Sequence, residues 1–262
     1  MRLFKSVQKP GEAAERVKKG VTLKPLIAGD PEYKTLINAY GDYLESMGVE
    51  YSVGVGGVLL AVYGGEDEEF MGASGRMRTL RDPTVVGHII SKKTDVVPAH
   101  VLADALSQRA KGVPPEELYR RLNETVPLNW NMVDGLPEAW SSEDASGFLS
   151  LVNVHADFRR LGFSRLLVQG ALRRFLDVDG LEYAFAFARV PGFPRSGEPD
   201  IQKYVLRTDS GGMSPDVGLR IHQSAGQTVL CGVPKGAVDA ESGGYSALVA
   251  SNLRELRARG II

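Results

Sequence analysis

The chain has 262 residues, 43% hydrophobic and 24% charged, a composition typical of folded globular proteins and unlike that of disordered chains. Its 31 basic residues nearly balance its 32 acidic ones, so no net field draws it toward nucleic acid or an anionic membrane. The single cysteine, Cys231, cannot form an internal disulfide, and no window approaches the roughly 20 apolar residues that cross a bilayer. We therefore expect a protein of the reducing cytoplasm, with neither a nucleic-acid nor a membrane partner.

Predicted strands and helices alternate through the first half of the chain. In order, they are a basic helical leader (1–20), a strand (21–27), an amphipathic helix (31–47) and two strands (53–65 and 84–91). The amphipathic helix is predicted from apolar side chains at helical spacing and from Pro31, whose fixed φ suits the first helical position. An acidic turn from Glu66 to Glu69 separates the last two strands. We expect these strands to belong to one antiparallel sheet.

A polar insertion (95–147) follows the early strands. Two of its segments, PAHVLADALSQRA and PPEELYRRLNE, begin at proline and continue in good helix formers, so both are predicted to be helices. The stretch from about 124 to 147 contains both tryptophans but has no clear period, and we predict a loop there. The insertion is expected to cover a sheet edge or a binding cleft.

The second half of the chain has a more regular pattern. A strand (148–154), an amphipathic helix (163–177) and a second strand (181–190) form a β-α-β unit, whose crossover makes the two strands parallel. After a proline- and glycine-rich excursion (191–215), the pattern predicts a short helix (216–226), a strand (227–233), a final strand (244–250) and a basic terminal helix.

A basic turn joins the first strand of this unit to its helix, with the sequence Arg159-Arg160-Leu161-Gly162-Phe163-Ser164. Free backbone N–H groups at a helix start, the helix dipole and flanking arginines together form a cradle for an anion such as a pyrophosphate. Glycine lets a phosphate approach the main chain. The alternative is that Arg159 and Arg160 are solvated turn residues and that Gly162 merely starts a helix.

This turn and its flanks resemble the GNAT superfamily of N-acetyltransferases. The pyrophosphate loop of that family has Arg or Gln, two variable residues, Gly, one variable residue, then Gly or Ala; Ser164 is a departure at the last position. The family also places an apolar strand with a V-x-V ending before the loop, here Val152, Asn153 and Val154. The resemblance implies a single α/β (α+β) domain over 1–262, with a mixed, mostly antiparallel sheet and helices on both faces.

In this family, the two parallel strands splay apart, and coenzyme A lies in the gap. The resemblance therefore implies an acyl-CoA-binding β-α-β core at 148–190. The residues that it assigns to the cofactor are Val152, Asn153, Val154, Arg159, Arg160, Leu161, Gly162, Phe163 and Ser164.

Three later segments, ARVPGF (188–193), DVGLRIHQSAG (216–226) and DAESGGYSALV (239–249), carry a closer resemblance. They are similar to the GNAT branch attached to carbon-nitrogen hydrolases and to the GNAT-like domains of polyketide synthase loading modules. Many family members have a tyrosine four residues before the glycine that ends the penultimate helix, where this chain has His222. In the polyketide branch, a histidine there works with a threonine before the strand-end arginine. Ala188 occupies that threonine position, which weakens the case for decarboxylation.

His222 is the main catalytic candidate, since an imidazole can donate or accept a proton near neutral pH. Tyr245 is a second candidate acid, and Arg189 is a candidate for holding a substrate carboxylate or a carbonyl of the cofactor. Glu241 is a weaker candidate base. Each has a structural alternative: His222 as a capping or packing residue, Tyr245 as a core aromatic, and the two charged residues as surface groups. His88, His100 and His155 are expected to be structural or to flank the cofactor.

The resemblance implies transfer of an acyl group, most readily acetyl, from acyl-CoA to an amine or a carrier-protein thiol by direct attack. His222 would be the general acid or base, and the backbone near Val154 would polarise the thioester carbonyl. The alternatives are decarboxylation of a malonyl-type acyl-CoA and a non-catalytic CoA-binding module. We predict no permanently bound cofactor and no metal site. The insertion and the excursion (191–215) are where acceptor specificity is expected; the acceptor and the oligomeric state stay open.

Overall fold

The computed structural model describes residues 10–47, 57–126, 128, 142–234, 236 and 239–262. The start of the predicted leader, the start of the strand at 53–65 and most of the predicted loop at 124–147 lie outside these residues. The chain forms two compact units. Unit 1 consists of Met1–Ile89 and Val152–Leu167, and unit 2 of Ile90–Leu151 and Val168–Ile262. The expectation of one domain over 1–262 stays a prediction.

The strands are β1 (Val21–Leu26), β2 (Gly57–Tyr63), β3 (Glu68–Met71), β4 (Met77–Leu80), β5 (Thr84–Thr94), β6 (Ser146–Val154), β7 (Tyr183–Arg189), β8 (Thr228–Val233) and β9 (Ser246–Asn252). The α-helices of the described residues are α1 (Pro10–Gly20), α2 (Tyr33–Ser46), α3 (Ala99–Ala110), α4 (Pro115–Thr125), α5 (Phe163–Asp177), α6 (Ile201–Tyr204), α7 (Val217–Ser224) and α8 (Leu253–Ala258). Short 3₁₀ turns occur at Ala156–Phe158 and Phe193–Arg195.

Seven strands are hydrogen-bonded in the order β1-β2-β5-β6-β7-β9-β8, and β3 and β4 form a separate hairpin. The pairs β1/β2, β7/β9 and β8/β9 are antiparallel, whereas β6 and β7 are parallel across the α5 crossover. A mixed, mostly antiparallel sheet with helices is thus confirmed.

Helix α2, in unit 1, has one buried face, formed by Leu36, Tyr40, Tyr43 and Leu44. These residues have the helical spacing that the sequence predicted. Its start was predicted wrongly, because Pro31 lies before the N-cap, Glu32. The Asp30 carboxylate accepts the N–H of Glu32 at 3.0 Å, and the Asp30 carbonyl accepts that of Tyr33 at 3.0 Å. This turn uses the residues that would otherwise have formed the first helical turn.

The hairpin of β3 and β4 was not predicted. Glu68 and Glu69, expected in an acidic turn, belong to β3, where Phe70 is buried. Met71 faces Met77 across the hairpin, and the Gly75 N–H donates to the Gly72 carbonyl at 2.9 Å to close the turn. Gly75 has φ +79°, a conformation open to glycine at little cost.

In unit 2, both predicted helices of the insertion are present as α3 and α4. Their apolar faces join the strands in one core. The core residues from α3 and α4 are Val101, Leu102, Ala105, Leu118 and Leu122, and those from the strands include Phe148, Phe185, Leu230 and Leu248. Cys231 belongs to the same core as a buried free thiol.

The excursion at 191–215 contains one helix that was not predicted, α6. Its Gln202 side chain bonds both backbone groups of Gly232 at 2.8 Å, which ties α6 to β8. No helix of the described residues is long and apolar enough to cross a membrane.

Candidate functional site

The segment between β6 and α5 contains the predicted anion cradle. Arg160 has φ +67° and Gly162 has φ +89°, and Arg160 is alone among non-glycine residues of the described chain in having positive φ. Arg159, by contrast, is extended. Positive φ at Arg160 and again at Gly162 marks a tight turn, and successive N–H groups of such turns form the anion-binding concavity known as a backbone nest. The segment Arg159–Ser164 is therefore the candidate nest.

The start of α5 adds unpaired donors to this nest. The Leu166 N–H donates to the Gly162 carbonyl at 3.1 Å, so the three preceding amides come before the first bond of the helix. A Cβ atom at Gly162 would meet nothing within 4 Å, so the space above the glycine is open. Helix N-termini with exposed N–H groups favour phosphate oxygens.

Three arginines surround the nest with positive charge. Arg159, Arg160 and Arg165 are exposed. Within the described residues, neither Arg160 nor Arg165 forms an ion pair, while the Arg159 Nε donates to the Val154 carbonyl at 3.4 Å. Phe163 is buried, and Leu161 and Ser164 are half-buried.

Strand β6 leads into the nest with Val152 and Asn153 half-buried and Val154 buried. In unit 2, the parallel register of β6 with β7 consists of Gly147 opposite Ala184 and Phe148 opposite Phe185. Strand β7 continues to pair with β9 as far as Arg189.

A buried carboxylate beside the nest escaped the sequence analysis. Asp157, in the 3₁₀ turn, accepts hydrogen bonds from the Ser74 hydroxyl and the Arg78 guanidinium, both on the β3–β4 hairpin. Its own N–H donates to Nδ1 of His155 at 3.2 Å. Burial opposes ionisation of Asp157, yet the bonds from Ser74 and Arg78 hold its pKa below the usual value.

Two tyrosines and two histidines form a buried cluster in unit 1. The ring of His88 lies 5.4 Å from that of Tyr40 and 5.5 Å from that of Tyr43, and the ring of Tyr43 lies 6.4 Å from that of His155. Burial lowers the pKa of His88 to about 4 and raises that of Tyr43, so both are uncharged at neutral pH. The Tyr43 hydroxyl and His88 Nδ1 have no hydrogen-bond partner among the described residues.

In unit 2, α7 positions His222. The Asp216 carboxylate caps this helix by accepting the Gly218 N–H at 2.9 Å. His222 is 7% exposed, and its Nδ1 lies 2.7 Å from Oε1 of Gln227. Burial lowers the pKa of His222, and the bond to Gln227 acts in the opposite direction. The imidazole is therefore neutral at pH 7, with its proton on Nδ1 and a lone pair on Nε2.

Arg189 is bound to protein carboxylates at the end of β7. Its guanidinium donates to both oxygens of Asp239, at 2.7 and 2.6 Å, and to Glu241 at 2.9 Å. The bond from Arg189 is the main reason that the pKa of Asp239 falls to about 2. The structure thus brings Arg189 and Glu241 together as an ion pair; their substrate and base roles stay predictions.

Tyr245 lies just before β9, half-buried, with its ring 4.8 Å from that of Phe193. Ala188, one residue before Arg189, is buried opposite Ala247 in the β7/β9 register. No group of three or more His, Cys, Asp or Glu side chains in the described part of the chain has the arrangement of a metal site.

Comparisons with known proteins address the fold. No protein-family model matches the sequence, and no curated protein does. Among solved structures, malonyl-CoA decarboxylase from Rhodopseudomonas palustris matches with a TM-score of 0.59 and 10% identity, over 96% of this chain and 62% of that one. The chain has a GNAT-like fold. It spans less than two thirds of that decarboxylase.

Two further structures, both described as GNAT-like, match with lower TM-scores. The loading GNATL domain of CurA from Lyngbya majuscula has a TM-score of 0.48 and 18% identity, over 70% of this chain and 78% of that one. The GphF GNAT-like decarboxylase, solved with isobutyryl-CoA, has a TM-score of 0.47 and 15% identity, over 94% and 97% of the two chains.

Three features of this GNAT-like fold were not predicted from the sequence. They are the contacts of Asp157 with the hairpin, the contact of Gln227 with His222, and the pairing of Tyr43 with His88. Of these features, the hairpin itself is indicated by the sequence. In the run EEFM-GASG-RMRTL, two short segments that each contain apolar side chains flank a four-residue link with two glycines, which is typical of a hairpin. The other contacts join side chains whose proximity depends on the fold, and no local pattern indicates them.

Proposed function

We propose that this chain binds acyl-CoA and transfers the acyl group, most readily acetyl, directly to an amine or thiol acceptor. The observation that carries the proposal is the nest at Arg159–Ser164. It combines two left-handed residues, open space above Gly162, unpaired helix amides and three exposed arginines. A pyrophosphate has the charge and the acceptor oxygens that such a site binds.

In this proposal, the pyrophosphate lies on the nest, with Val152, Asn153 and Val154 along the remainder of the cofactor. Backbone N–H groups near Val154 polarise the thioester carbonyl, where negative charge develops during attack. The acceptor attacks the carbonyl carbon, the C–S bond breaks, and the coenzyme A thiolate leaves. No covalent intermediate with the enzyme forms.

His222 moves the proton in this reaction. With Nδ1–H donated to Gln227, Nε2 has the lone pair needed to accept a proton from the acceptor, and the resulting imidazolium can protonate the thiolate. Tyr245 is the second candidate acid. For Arg189 to hold a substrate carboxylate or carbonyl, it has to exchange Glu241, whose side chain is 66% exposed, and keep Asp239.

The test of this proposal is thermal unfolding with and without acetyl-CoA. Binding to the folded state raises the melting temperature, by an amount that increases with ligand concentration. We expect a rise with acetyl-CoA that Arg160→Ala reduces and that Arg120→Ala, an exposed arginine on α4, leaves intact. No rise at millimolar acetyl-CoA, with circular dichroism showing folded protein, would refute the proposal.

Decarboxylation of a malonyl-type acyl-CoA is the second candidate, supported by the position of His222 on α7. The carbon–carbon bond of the malonyl group would break, CO₂ would leave, and a proton would complete acetyl-CoA. Mass spectrometry of a malonyl-CoA incubation separates the two reactions. Because Ala188 has no hydroxyl, we expect no acetyl-CoA above the background without enzyme.

A non-catalytic CoA-binding module is the third candidate and belongs to a different class. It would keep the nest and need no proton transfer. His222→Ala would leave its function intact, whereas Arg159→Ala would abolish it. For a transferase, we expect both substitutions to reduce turnover, once a screen of amines and carrier-protein thiols has identified the acceptor.

A further inference from the structure

We propose that Asp157 is a positioning residue, which fixes the pyrophosphate nest to the β3–β4 hairpin. This inference rests on the proposed function and adds to it a second segment of unit 1. The anchor consists of the contacts that Asp157 makes with Gly72, Ala73, Ser74 and Arg78.

The anchor joins the two segments through both backbone and side chain. The Asp157 carbonyl accepts the Ala73 N–H at 2.8 Å. One carboxylate oxygen accepts the Ser74 hydroxyl, and the other accepts Nε of Arg78. The Asp157 side chain is 1% exposed and that of Arg78 is 41% exposed. Losing a partner would leave a buried carboxylate without its hydrogen bond, which is costly.

Packing around the anchor requires close approach of the hairpin. A Cβ atom at Gly72 would lie 2.6 Å from Cβ of Asp157, so only glycine fits at this position. Beside it, the rings of Phe70 and Phe158 stack with centroids 5.6 Å apart and planes 10° from parallel. The hairpin and the 3₁₀ turn therefore pack as one body.

The anchor matters for the nest because of the backbone of Arg160. A non-glycine residue in the left-handed region is strained, and it persists only where its neighbours hold it. The Leu166–Gly162 bond holds the helix side. On the other side, the 3₁₀ turn containing Asp157 ends at Phe158, two residues before Arg160. Release of the anchor would let the strained residue relax and turn the nest amides away from the phosphates.

The negative charge of Asp157 allows a positioning role to be distinguished from a purely electrostatic one. Asp157 is an anion beside a proposed anion site, and Arg78 neutralises it. If Asp157 influenced the cofactor only through charge, Asp157→Asn would make the site more positive and strengthen binding. If Asp157 positions the nest, the same substitution weakens binding despite the gain in positive charge. The two roles predict opposite signs.

The experiment measures coenzyme A binding by calorimetry and, in the free protein, hydrogen exchange of the Leu166 amide, whose bond to the Gly162 carbonyl closes the helix side of the nest. It compares wild type, Asp157→Asn, Ser74→Ala and Glu117→Gln. Glu117 on α4 is the matched control, because it also accepts bonds from arginine side chains but belongs to unit 2. We expect Asp157→Asn to weaken binding about tenfold, Ser74→Ala to weaken it less, and Glu117→Gln to leave it unchanged.

The Leu166 amide should also exchange faster in both unit 1 variants, with the rates in unit 2 unchanged, because relaxation of the nest weakens its bond to Gly162. Should Asp157→Asn not fold, as judged by circular dichroism, Ser74→Ala decides, since it removes one hydroxyl and no charge. Binding by the folded variants that equals or exceeds that of wild type would overturn the inference. Absence of binding in wild type would refute the proposed function, and the positioning role for the cofactor with it.

Discussion

The Nδ1 atom of His222 and the Oε1 atom of Gln227 lie 2.7 Å apart, inside unit 2. The Gln227 N–H also donates to the His222 carbonyl at 3.1 Å, so the two residues are joined through backbone and side chain. Because an amide oxygen only accepts, this contact fixes the imidazole tautomer and directs its lone pair to Nε2.

Replacement of Gln227 should change the titration of His222 with a predictable sign. In Gln227→Glu, a carboxylate beside the ring favours the imidazolium, so the pKa of His222 should rise. In Gln227→Leu, the bond that raises the pKa is lost, so the pKa should fall further, and the orphaned Nδ1–H should cost about 1–3 kcal/mol of stability. NMR titration of the His222 imidazole measures both pKa changes, and denaturant unfolding measures the stability cost. Equal His222 titration in all three proteins would contradict this assignment.

Two glycines offer a matched pair for the nest. Gly162 has φ +89° and Gly180 has φ +68°, and a Cβ atom added at either glycine would have no neighbour within 4 Å. Alanine at either site should cost roughly 1–2 kcal/mol, because both backbones are left-handed. Only Gly162→Ala should also weaken coenzyme A binding, by about tenfold or more, since its methyl group occupies the proposed phosphate position. Denaturant unfolding and calorimetry separate the two effects, and equal loss of binding in both variants would count against the nest.

The sequence indicated those features that depend on neighbouring residues. Helices α2 and α5 follow from the spacing of apolar side chains, and α3 and α4 from a starting proline followed by good helix formers. The prediction of an anion site follows from glycine and arginines placed between a strand and a helix. The Asp157 anchor could not be inferred in this way, because its partner Ser74 is 83 residues distant and the fold brings them together. Periodicity identifies a buried face but not which polar groups meet upon it. The first helical position was wrongly assigned to Pro31. The Asp30 carboxylate accepts the Glu32 N–H, and the helix begins only at Tyr33.

His88 should make unit 1 sensitive to acid. Its pKa falls from 6.5 to about 4 on folding, so the unfolded chain takes up a proton in a range where the folded one does not. Stability should be unaffected above about pH 6.5, decline as the pH falls toward 4, and change little from this source below it. The full effect is about 3 kcal/mol at 1.36 kcal/mol per pH unit.

The substitution His88→Phe tests this source of acid sensitivity, because it keeps an aromatic ring between Tyr40 and Tyr43 and removes the titrating group. Guanidinium unfolding at pH 7 and at pH 4.5 should show a smaller stability difference in the variant than in wild type. An equal difference in the two proteins would assign the acid sensitivity to other groups.

Arg160 allows charge and backbone strain to be separated at one position. Arg160→Ala removes the guanidinium and keeps a side chain at φ +67°, whereas Arg160→Gly removes the guanidinium and relieves the left-handed strain. We expect Arg160→Gly to be more stable than Arg160→Ala by about 1 kcal/mol. Both should bind coenzyme A more weakly than wild type, with a shallower dependence on salt, because a phosphate contact is lost. If Arg160→Ala bound as tightly as wild type at low salt, the arginine would be a solvated turn residue and the backbone alone would form the anion site.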